Sequence, residues 1–120
     1  METTDLNREI TLLHQRICPA LGDPTRMLIL YALKEKPRKV SELTEILGIP
    51  QPSVSRHLGI LRNRNLVIAE RQGTSVSYSL GFTKLIDVMD ILRLILRDQM
   101  QDQTRLAEEL NPSQALEANQ

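Results

Sequence analysis

The chain has 120 residues, room for one small hydrophobic core, and its 15 basic side chains balance 15 acidic ones. No apolar run approaches the roughly 18 residues of a membrane span, and a single cysteine excludes a disulfide framework, so we expect a cytoplasmic protein with no membrane partner. Two histidines, one cysteine and no glycine-rich phosphate loop offer no set of nucleophile and base, and we therefore expect no enzymatic activity.

Two helices are predicted at the start of the chain. The first ends at Pro19 and carries an apolar stripe formed by Leu6, Ile10, Leu13 and Ile17. The second is predicted to extend from about Thr25 to Lys36. Asp23 is a good N-cap for this helix, Pro24 suits its first position, and Pro37 ends it.

The segment from Val40 to Leu61 predicts two short amphipathic helices joined by a turn. The first has an apolar face, formed by Leu43, Ile46 and Leu47, and Gly48 ends it with a left-handed residue. The second has its own apolar stripe, formed by Val54, Leu58 and Leu61. Two helices packed across such a turn make a helix-turn-helix, whose second helix enters the major groove of DNA.

The opposite face of that second helix is polar and carries short side chains and one guanidinium, at Ser53, Ser55, Arg56, Gly59 and Asn63. These groups suit close approach to base edges and phosphates. A helix that faces only solvent would more often carry Glu and Lys, and this one has neither. We therefore predict that the helix reads DNA, the alternative being a helical hairpin without a binding role.

A β-hairpin is predicted directly after this helix, with strands at Leu66 to Arg71 and Ser75 to Leu80 and a turn at residues 72–74. The second strand alternates serines with larger side chains at Val76, Tyr78 and Leu80, which is the period of a half-buried strand. A hairpin in this place is the wing of a winged helix. Arg71 lies near its tip, where it can reach a phosphate or the minor groove.

A long final helix is predicted between a cap at Thr83 and roughly Leu110, and the polar residues 111–120 are expected to be disordered. Its apolar side chains fill an arc of about 180°, well beyond the ~100° of an ordinary surface helix. They are Leu85, Val88, Met89, Ile91, Leu92, Ile95, Leu96 and Met100.

A single small domain cannot cover so wide a face, so we predict a homodimer; the alternative is a one-sided core helix. The predicted interface joins the first and last helices through Leu6, Ile10, Leu13, Leu85, Met89, Leu92 and Leu96. A two-fold dimer of helix-turn-helix units implies a pseudo-palindromic operator with half-sites about one DNA turn apart, or a multiple of it.

Charge and aromatic content favour double-stranded DNA as the partner. Residues 23–80 carry nine basic and five acidic side chains. Residues 1–22 carry two basic and three acidic side chains, and residues 81–120 carry four basic and seven acidic ones. The basic middle coincides with the predicted DNA-binding segment. Only Tyr31, Tyr78 and Phe82 are aromatic, which leaves little surface on which unpaired bases could stack.

The predicted fold is mainly α with a small β-hairpin. It is a winged helix-turn-helix with the element order α-α-α-α-β-β-α, in which residues 1–110 form one domain and two copies form a dimer. From about Ile10 to Met100 the chain resembles the ArsR/SmtB (arsenical-repressor type) family of bacterial regulators. The resemblance is carried by ALGDPTRMLIL at residues 20–30, VSELTEILGIPQPSVSRHLGILRNRNLV at residues 40–67 and RQGTSVSYSL at residues 71–80.

That resemblance implies a dimeric repressor that leaves its operator when an inducer binds or a thiol is oxidised. The family's recognition residues correspond to Gln51, Ser53, Ser55, Arg56 and His57, and its wing contact corresponds to Arg71. One departure is Pro50, where members usually have a Ser or Thr cap.

The family's usual inducer sites are absent from this sequence. Lys39 and Ser41 occupy the positions of the Cys-x-Cys pair that many metal-responsive members carry. The metal site of the last helix keeps its spacing, but its positions hold Asp87, Met89, Met100 and Gln103. Zinc prefers imidazole, thiolate or carboxylate ligands, so we expect no resident metal and no cofactor, and the inducer stays unknown.

Two alternatives to a repressor without these ligands stay open. His14 and Cys18 are four residues apart on the first predicted helix, and two subunits could combine them into a site for zinc or another thiophilic metal. Cys18 alone could form an intersubunit disulfide or a sulfenic acid, although a lone cysteine among apolar residues is usually a small buried hydrophobe. The second alternative is a winged helix that serves as a protein-interaction module.

Overall fold

The computed structural model describes residues 3–110. They form the helices and strands α1 (Thr3–Arg16), α2 (Cys18–Leu21), α3 (Pro24–Ala32), β1 (Arg38–Lys39), α4 (Val40–Leu47), α5 (Gln51–Asn63), β2 (Val67–Gln72), β3 (Ser75–Leu80) and α6 (Lys84–Leu110). Two compact units are distinguished, one up to Ile86 and one from Asp87, so a single domain over residues 1–110 stays a prediction. The tail predicted at 111–120 lies outside the described residues. Within the described range no helix is both long enough and apolar enough to cross a membrane.

The helix-turn-helix is confirmed as α4 and α5. Helix α4 begins where the Glu42 carboxylate accepts a hydrogen bond from the backbone N–H of Lys39 at 3.0 Å. It ends at Gly48, whose φ of 67° is the left-handed conformation expected there. Leu43 is fully buried, whereas Ile46 is half-exposed, so the apolar face of α4 is narrower than predicted. The stripe of α5 is confirmed, and its members Val54, Leu58 and Leu61 are fully buried.

A left-handed residue also ends α5 and directs the chain into the wing. Asn65 has a φ of 60°, a conformation that Asn tolerates better than other residues with a side chain. The N–H of Leu66 donates to the carbonyl of Leu61 at 2.9 Å, and that of Asn65 donates to the carbonyl of Arg62 at 2.9 Å. This is the Schellman pattern, and the buried side chains of Leu61 and Leu66 supply its apolar contact.

The wing is confirmed as an antiparallel pair in which Arg71 faces Val76 and Gln72 faces Ser75. Its turn contains only two residues, Gly73 and Thr74, one fewer than predicted. Gly73 has a φ of 65° and Thr74 does not have a positive φ, which matches the type II′ turn favoured in hairpins.

Strand β3 lies in the centre of a three-stranded sheet of order β1-β3-β2. The additional strand β1 has two residues and pairs with Tyr78 and Ser77. All six residues of β3 are partly buried, so the predicted alternation of buried and exposed side chains is wrong. At Ser77 and Tyr78 part of this cover comes from pairing on both sides, with β1 and with β2.

A glycine closes the sheet against the turn that follows α5. The backbone N–H of Gly81 donates to the carbonyl of Leu66 at 2.8 Å. A Cβ atom at residue 81 would lie 2.5 Å from the carbonyl oxygen of Asn65 and 3.1 Å from the backbone of Leu66. Since real Cβ atoms do not approach backbone this closely, the end of β3 can lie here only because residue 81 has no side chain.

The N-terminal helices differ from prediction at their ends. Helix α1 ends at Arg16 and is followed by the separate short helix α2, because Pro19 has no N–H to continue the helical ladder. Helix α3 begins as predicted, and the Asp23 carboxylate accepts from the N–H groups of Thr25 and Arg26 at 2.8 and 3.2 Å. It ends at Ala32 rather than Lys36, since the residue before Pro37 avoids helical conformation and the intervening charged residues are exposed.

Candidate nucleic-acid interface

The exposed face of α5 is the candidate DNA-reading surface. Gln51, Ser55 and Arg56 are exposed and Ser53 is half-buried, all within the first half of the helix. The buried stripe holds the opposite side of α5, so this polar face is presented by a rigid element. Short side chains at 53 and 55 allow the helix backbone to approach a groove closely, while Arg56 provides two parallel donors of the kind that fit a guanine edge.

The start of α5 accommodates the departure at Pro50 without a side-chain cap. The Pro50 carbonyl accepts hydrogen bonds from the N–H groups of Ser53 and Val54, at 3.0 and 3.2 Å. Pro52, in the first turn, has no N–H that would need a partner. The first turn of the recognition helix is therefore closed by backbone alone.

Arg62 extends this face and was not among the predicted site residues. It lies seven residues after Ser55, which places the two side chains on the same side of the helix, and it is exposed. The signal in the sequence was this spacing.

The prediction that His57 contacts DNA is wrong. Its side chain is 6% exposed, and its Nδ1 atom lies 3.2 Å from Nη1 of Arg26. His57 follows Val54 by three residues and precedes Leu61 by four, so it belongs to the buried stripe of α5. The same spacing could have identified it as a core residue in the sequence.

Arg71 lies near the tip of the wing, as predicted, and one residue, Gln72, separates it from the two-residue turn. The residues from Glu70 to Thr74 are all exposed, so the tip of the hairpin extends away from the core. Together, α5 and the tip of the wing present Arg56, Arg62 and Arg71 as exposed cations on successive elements of the chain. Contact of these residues with DNA stays a prediction.

The carboxylate at the start of α3 stays charged to lower pH than an ordinary aspartate. Burial raises the pKa of Asp23, but the hydrogen bonds that it accepts from the backbone N–H groups of Arg26 and Thr25, together with positive charge on neighbouring side chains, lower it by more. The net effect is a pKa below the usual value of this side chain. The negative charge therefore persists at the positive end of α3, where it stabilises the helix.

The predicted dimer residues fall into two groups. An exposed group on α1 and α6 consists of Leu6, Ile10, Leu13, Leu92 and Leu96. Leu85 and Met89 are buried within the protomer, with 7% and 0% exposure, so placing them in a dimer interface is wrong. Ile86, which lay outside the predicted arc, is buried with them. The predicted wide arc therefore combines a buried face of α6 with a separate exposed face.

His14 and Cys18 are both exposed, but they do not lie on one continuous helix as predicted. Helix α1 ends at Arg16, and Cys18 is the first residue of α2. The break before Pro19 therefore removes the regular four-residue spacing on which the proposed ligand pair depended. Among residues 3–110, no three His, Cys, Asp or Glu side chains are grouped as a metal site would require.

Comparison with known proteins identifies the same part of the chain. The family model described as "Bacterial regulatory protein, arsR family" matches residues 23–69, which include α3, α4 and α5. The HTH-type transcriptional repressor SmtB of Mycobacterium tuberculosis is 42% identical over 74 residues, 62% of this chain and 55% of that protein. The chain thus spans little more than half the length of this relative.

Two further relatives match over more of their length. The uncharacterized HTH-type transcriptional regulator Rv0081 of M. tuberculosis is 31% identical over 91 residues, 75% of this chain and 80% of that protein. Its crystal structure superimposes with a TM-score of 0.70 at 28% identity, covering 79% of this chain and 96% of that one.

The other is the homodimeric winged helix-turn-helix DNA-binding domain of Mb0332 from Mycobacterium bovis, a possible ArsR-family regulator, solved in solution. It superimposes with a TM-score of 0.67 at 25% identity, covering 79% of this chain and 90% of that one. The helix-turn-helix, the wing and these matches together show that the chain belongs to the ArsR family of bacterial regulatory proteins.

Proposed function

We propose that the protein is a dimeric transcriptional repressor of the cytoplasm that binds double-stranded DNA at a pseudo-palindromic operator. The observation that carries this proposal is the exposed face of α5, which presents hydroxyls, an amide and two guanidiniums without one acidic side chain. Carboxylates are common on a helix face that contacts only solvent. On a face that contacts DNA they would repel the phosphates, so their absence favours DNA binding. The repressor named SmtB among the relatives supports the direction of regulation.

The decisive experiment is a salt titration of binding to duplex DNA. For a protein that makes about six to ten phosphate contacts, affinity falls by roughly 10³ to 10⁵ between 50 and 200 mM salt. We expect a steep loss of this kind, and we expect sequencing of duplexes retained from a random library to yield a motif with two-fold symmetry. A winged helix that serves only as a protein-interaction module would bind no duplex at any salt concentration, and that result would refute the proposal.

The proposed dimer rests on the exposed apolar surface of two helices. On α6 this surface includes Val88, Ile91, Leu92, Ile95 and Leu96, and on α1 it includes Leu6, Ile10 and Leu13. Monomeric proteins rarely leave so many large apolar side chains in contiguous exposed patches. The homodimeric state named for the Mb0332 domain supports a second copy of this chain as the partner.

A pair of variants on one helix tests the dimer. Leu92, Leu94 and Leu96 are 48%, 53% and 54% exposed, so a Glu at any of them disturbs no protomer core. Leu94 lies about 160–200° away from the other two around the helix. We expect Leu92→Glu with Leu96→Glu to give a folded monomer in light scattering, because unpaired charge would be buried at the interface. Leu94→Glu should stay dimeric. A wild-type protein that is monomeric at micromolar concentration would contradict the proposal.

A further inference from the structure

The bend between α1 and α2 leaves backbone carbonyls without helical donors. Pro19 has no N–H, so the carbonyl of Gln15, four residues earlier, loses its helical partner. Nη1 of Arg64, the residue that ends the recognition helix α5, donates to this carbonyl at 3.0 Å. The bend is therefore joined to the C-terminal end of α5 by one hydrogen bond.

A second link joins the bend to the middle of α5 through Arg26 on α3. Nε of Arg26 donates to the carbonyl of Ala20 at 2.7 Å, and Nη2 donates to the carbonyl of Pro19 at 2.8 Å. The remaining nitrogen, Nη1, lies 3.2 Å from Nδ1 of His57. All three nitrogens of one planar guanidinium thus have partners: two donate to carbonyls of α2, and the third contacts His57 on α5.

The chemistry of this contact fixes the direction of the hydrogen bond. A guanidinium has donors and no acceptor, so Arg26 is the donor and Nδ1 of His57 is the acceptor. His57 is nearly fully buried, so water cannot easily replace Arg26 as its partner. A lysine at residue 26 could supply the charge, but its single ammonium cannot reach three acceptors in the planar geometry of the fork.

We propose that Arg26 is a positioning residue for DNA binding, and that it fixes the orientation of the recognition helix relative to α1 and α2 through His57. The role follows from the place of His57 on α5, one residue after the exposed Arg56. A rotation of α5 that broke the contact with Arg26 would move Arg56 with it. Base contacts require correct orientation of the helix, whereas phosphate contacts tolerate small shifts, so the effect is expected on specific binding. The inference rests on the proposed binding of DNA.

The test compares Arg26→Lys with the matched control Arg38→Lys in the full chain. Nε of Arg38 donates to the carbonyl of Ala32 at 3.1 Å in a partly buried place, but this bond lies between α3 and β1 and involves no residue of α5. The probes are a duplex that the wild-type protein enriches from a random library and a scrambled duplex of the same composition. Thermal unfolding of each variant establishes a temperature at which all are folded.

We expect Arg26→Lys to weaken binding of the enriched duplex by about tenfold or more, the effect of roughly one lost hydrogen bond to a charged group, with binding of the scrambled duplex little changed. Arg38→Lys should lower the melting temperature without this loss of specific affinity. Equal affinity of Arg26→Lys and wild type, or an equal loss in Arg38→Lys, would overturn the inference.

A second pair of variants keeps the test decisive if Arg26→Lys does not fold. His57→Asn keeps an acceptor oxygen near the place of Nδ1, whereas His57→Leu keeps the volume and removes the acceptor. We expect His57→Asn to recover most of the specific affinity that His57→Leu loses, and equal affinities would refute the role of the contact. If the wild-type protein enriches no duplex, the proposed function and this inference are both refuted. If a duplex is enriched but all variants bind it equally, only this inference is refuted.

Discussion

Replacement of Arg56 by alanine tests how the recognition helix reads DNA. The side chain is exposed, and no residue of the buried stripe depends on it, so the free energy of unfolding should change by no more than about 0.5 kcal/mol. A lost bidentate contact with a base costs roughly 1–3 kcal/mol for each half-site. A symmetric dimer loses two, so specific binding should weaken by about 2–6 kcal/mol, or from roughly 30-fold to 10⁴-fold.

The assay measures Kd at physiological salt for the enriched duplex and for duplexes in which one base pair of each half-site is changed. If Arg56 reads a base, the variant will lose its preference at one symmetric position while keeping the others. Arg71→Ala is the matched control, because the hairpin tip is expected to meet phosphate. It should weaken all duplexes alike and make the salt slope shallower by about one for each subunit.

Three results are thus distinguishable. Loss of preference at one base pair supports base reading by Arg56, and a uniform loss with a shallower salt slope would reassign Arg56 to phosphate. If both variants bind the enriched duplex as tightly as wild type at physiological salt, then neither α5 nor the wing holds the DNA, and the proposed function is refuted.

Four further substitutions test the fold and the proposed absence of a sensor. Gly81→Ala should lower the free energy of unfolding by about 1–3 kcal/mol in urea titrations, because the new methyl group meets backbone; an unchanged midpoint would contradict this geometry. Thr44→Val should be neutral or stabilising by up to about 1 kcal/mol, because the buried Thr44 hydroxyl makes no hydrogen bond within residues 3–110; a marked loss of stability would indicate a partner. The lowered pKa of Asp23 contributes stability that is present above the unfolded pKa and is lost as pH falls through the folded one. The advantage of wild type over Asp23→Asn should therefore begin to shrink below about pH 4 and disappear at still lower pH in unfolding titrations. Zinc, arsenite or a mild oxidant should leave operator binding unchanged in wild type and in Cys18→Ser, and a response of about tenfold that vanishes in the variant would overturn this expectation.

The elements that follow from local patterns were predictable from the sequence. Gly48 and the stripe of Val54, Leu58 and Leu61 determine where α4 ends and which face of α5 is buried, and both are as predicted. The strand β3 was predicted with the correct ends, since its composition and its neighbouring turn are local signals.

The differences arise where residues far apart in sequence meet. His57 was assigned to DNA through the resemblance to the family's recognition residues, and its partner Arg26 is 31 residues away in the chain. Strand β1 has only two residues, and nothing in its own sequence indicates that it pairs with Tyr78 and Ser77. The hydropathy pattern of α6 does not distinguish Met89 from Leu92. Met89 is buried in the protomer, whereas Leu92 is exposed.

Because β2 and β3 are paired at six successive positions, from Val67 opposite Leu80 to Gln72 opposite Ser75, the two strands of the wing cannot slide past each other by one residue without breaking this ladder. The length of the wing can still change at the free end, around Gly73 and Thr74. Side chains alternate between the two faces of a strand, so one residue added to each strand below the tip would turn Arg71 to the opposite face. Two residues added to each strand would restore its direction and extend the tip by about 7 Å, close to the axial rise of two base pairs. The reach of this wing along DNA is therefore adjustable in discrete steps of about that size.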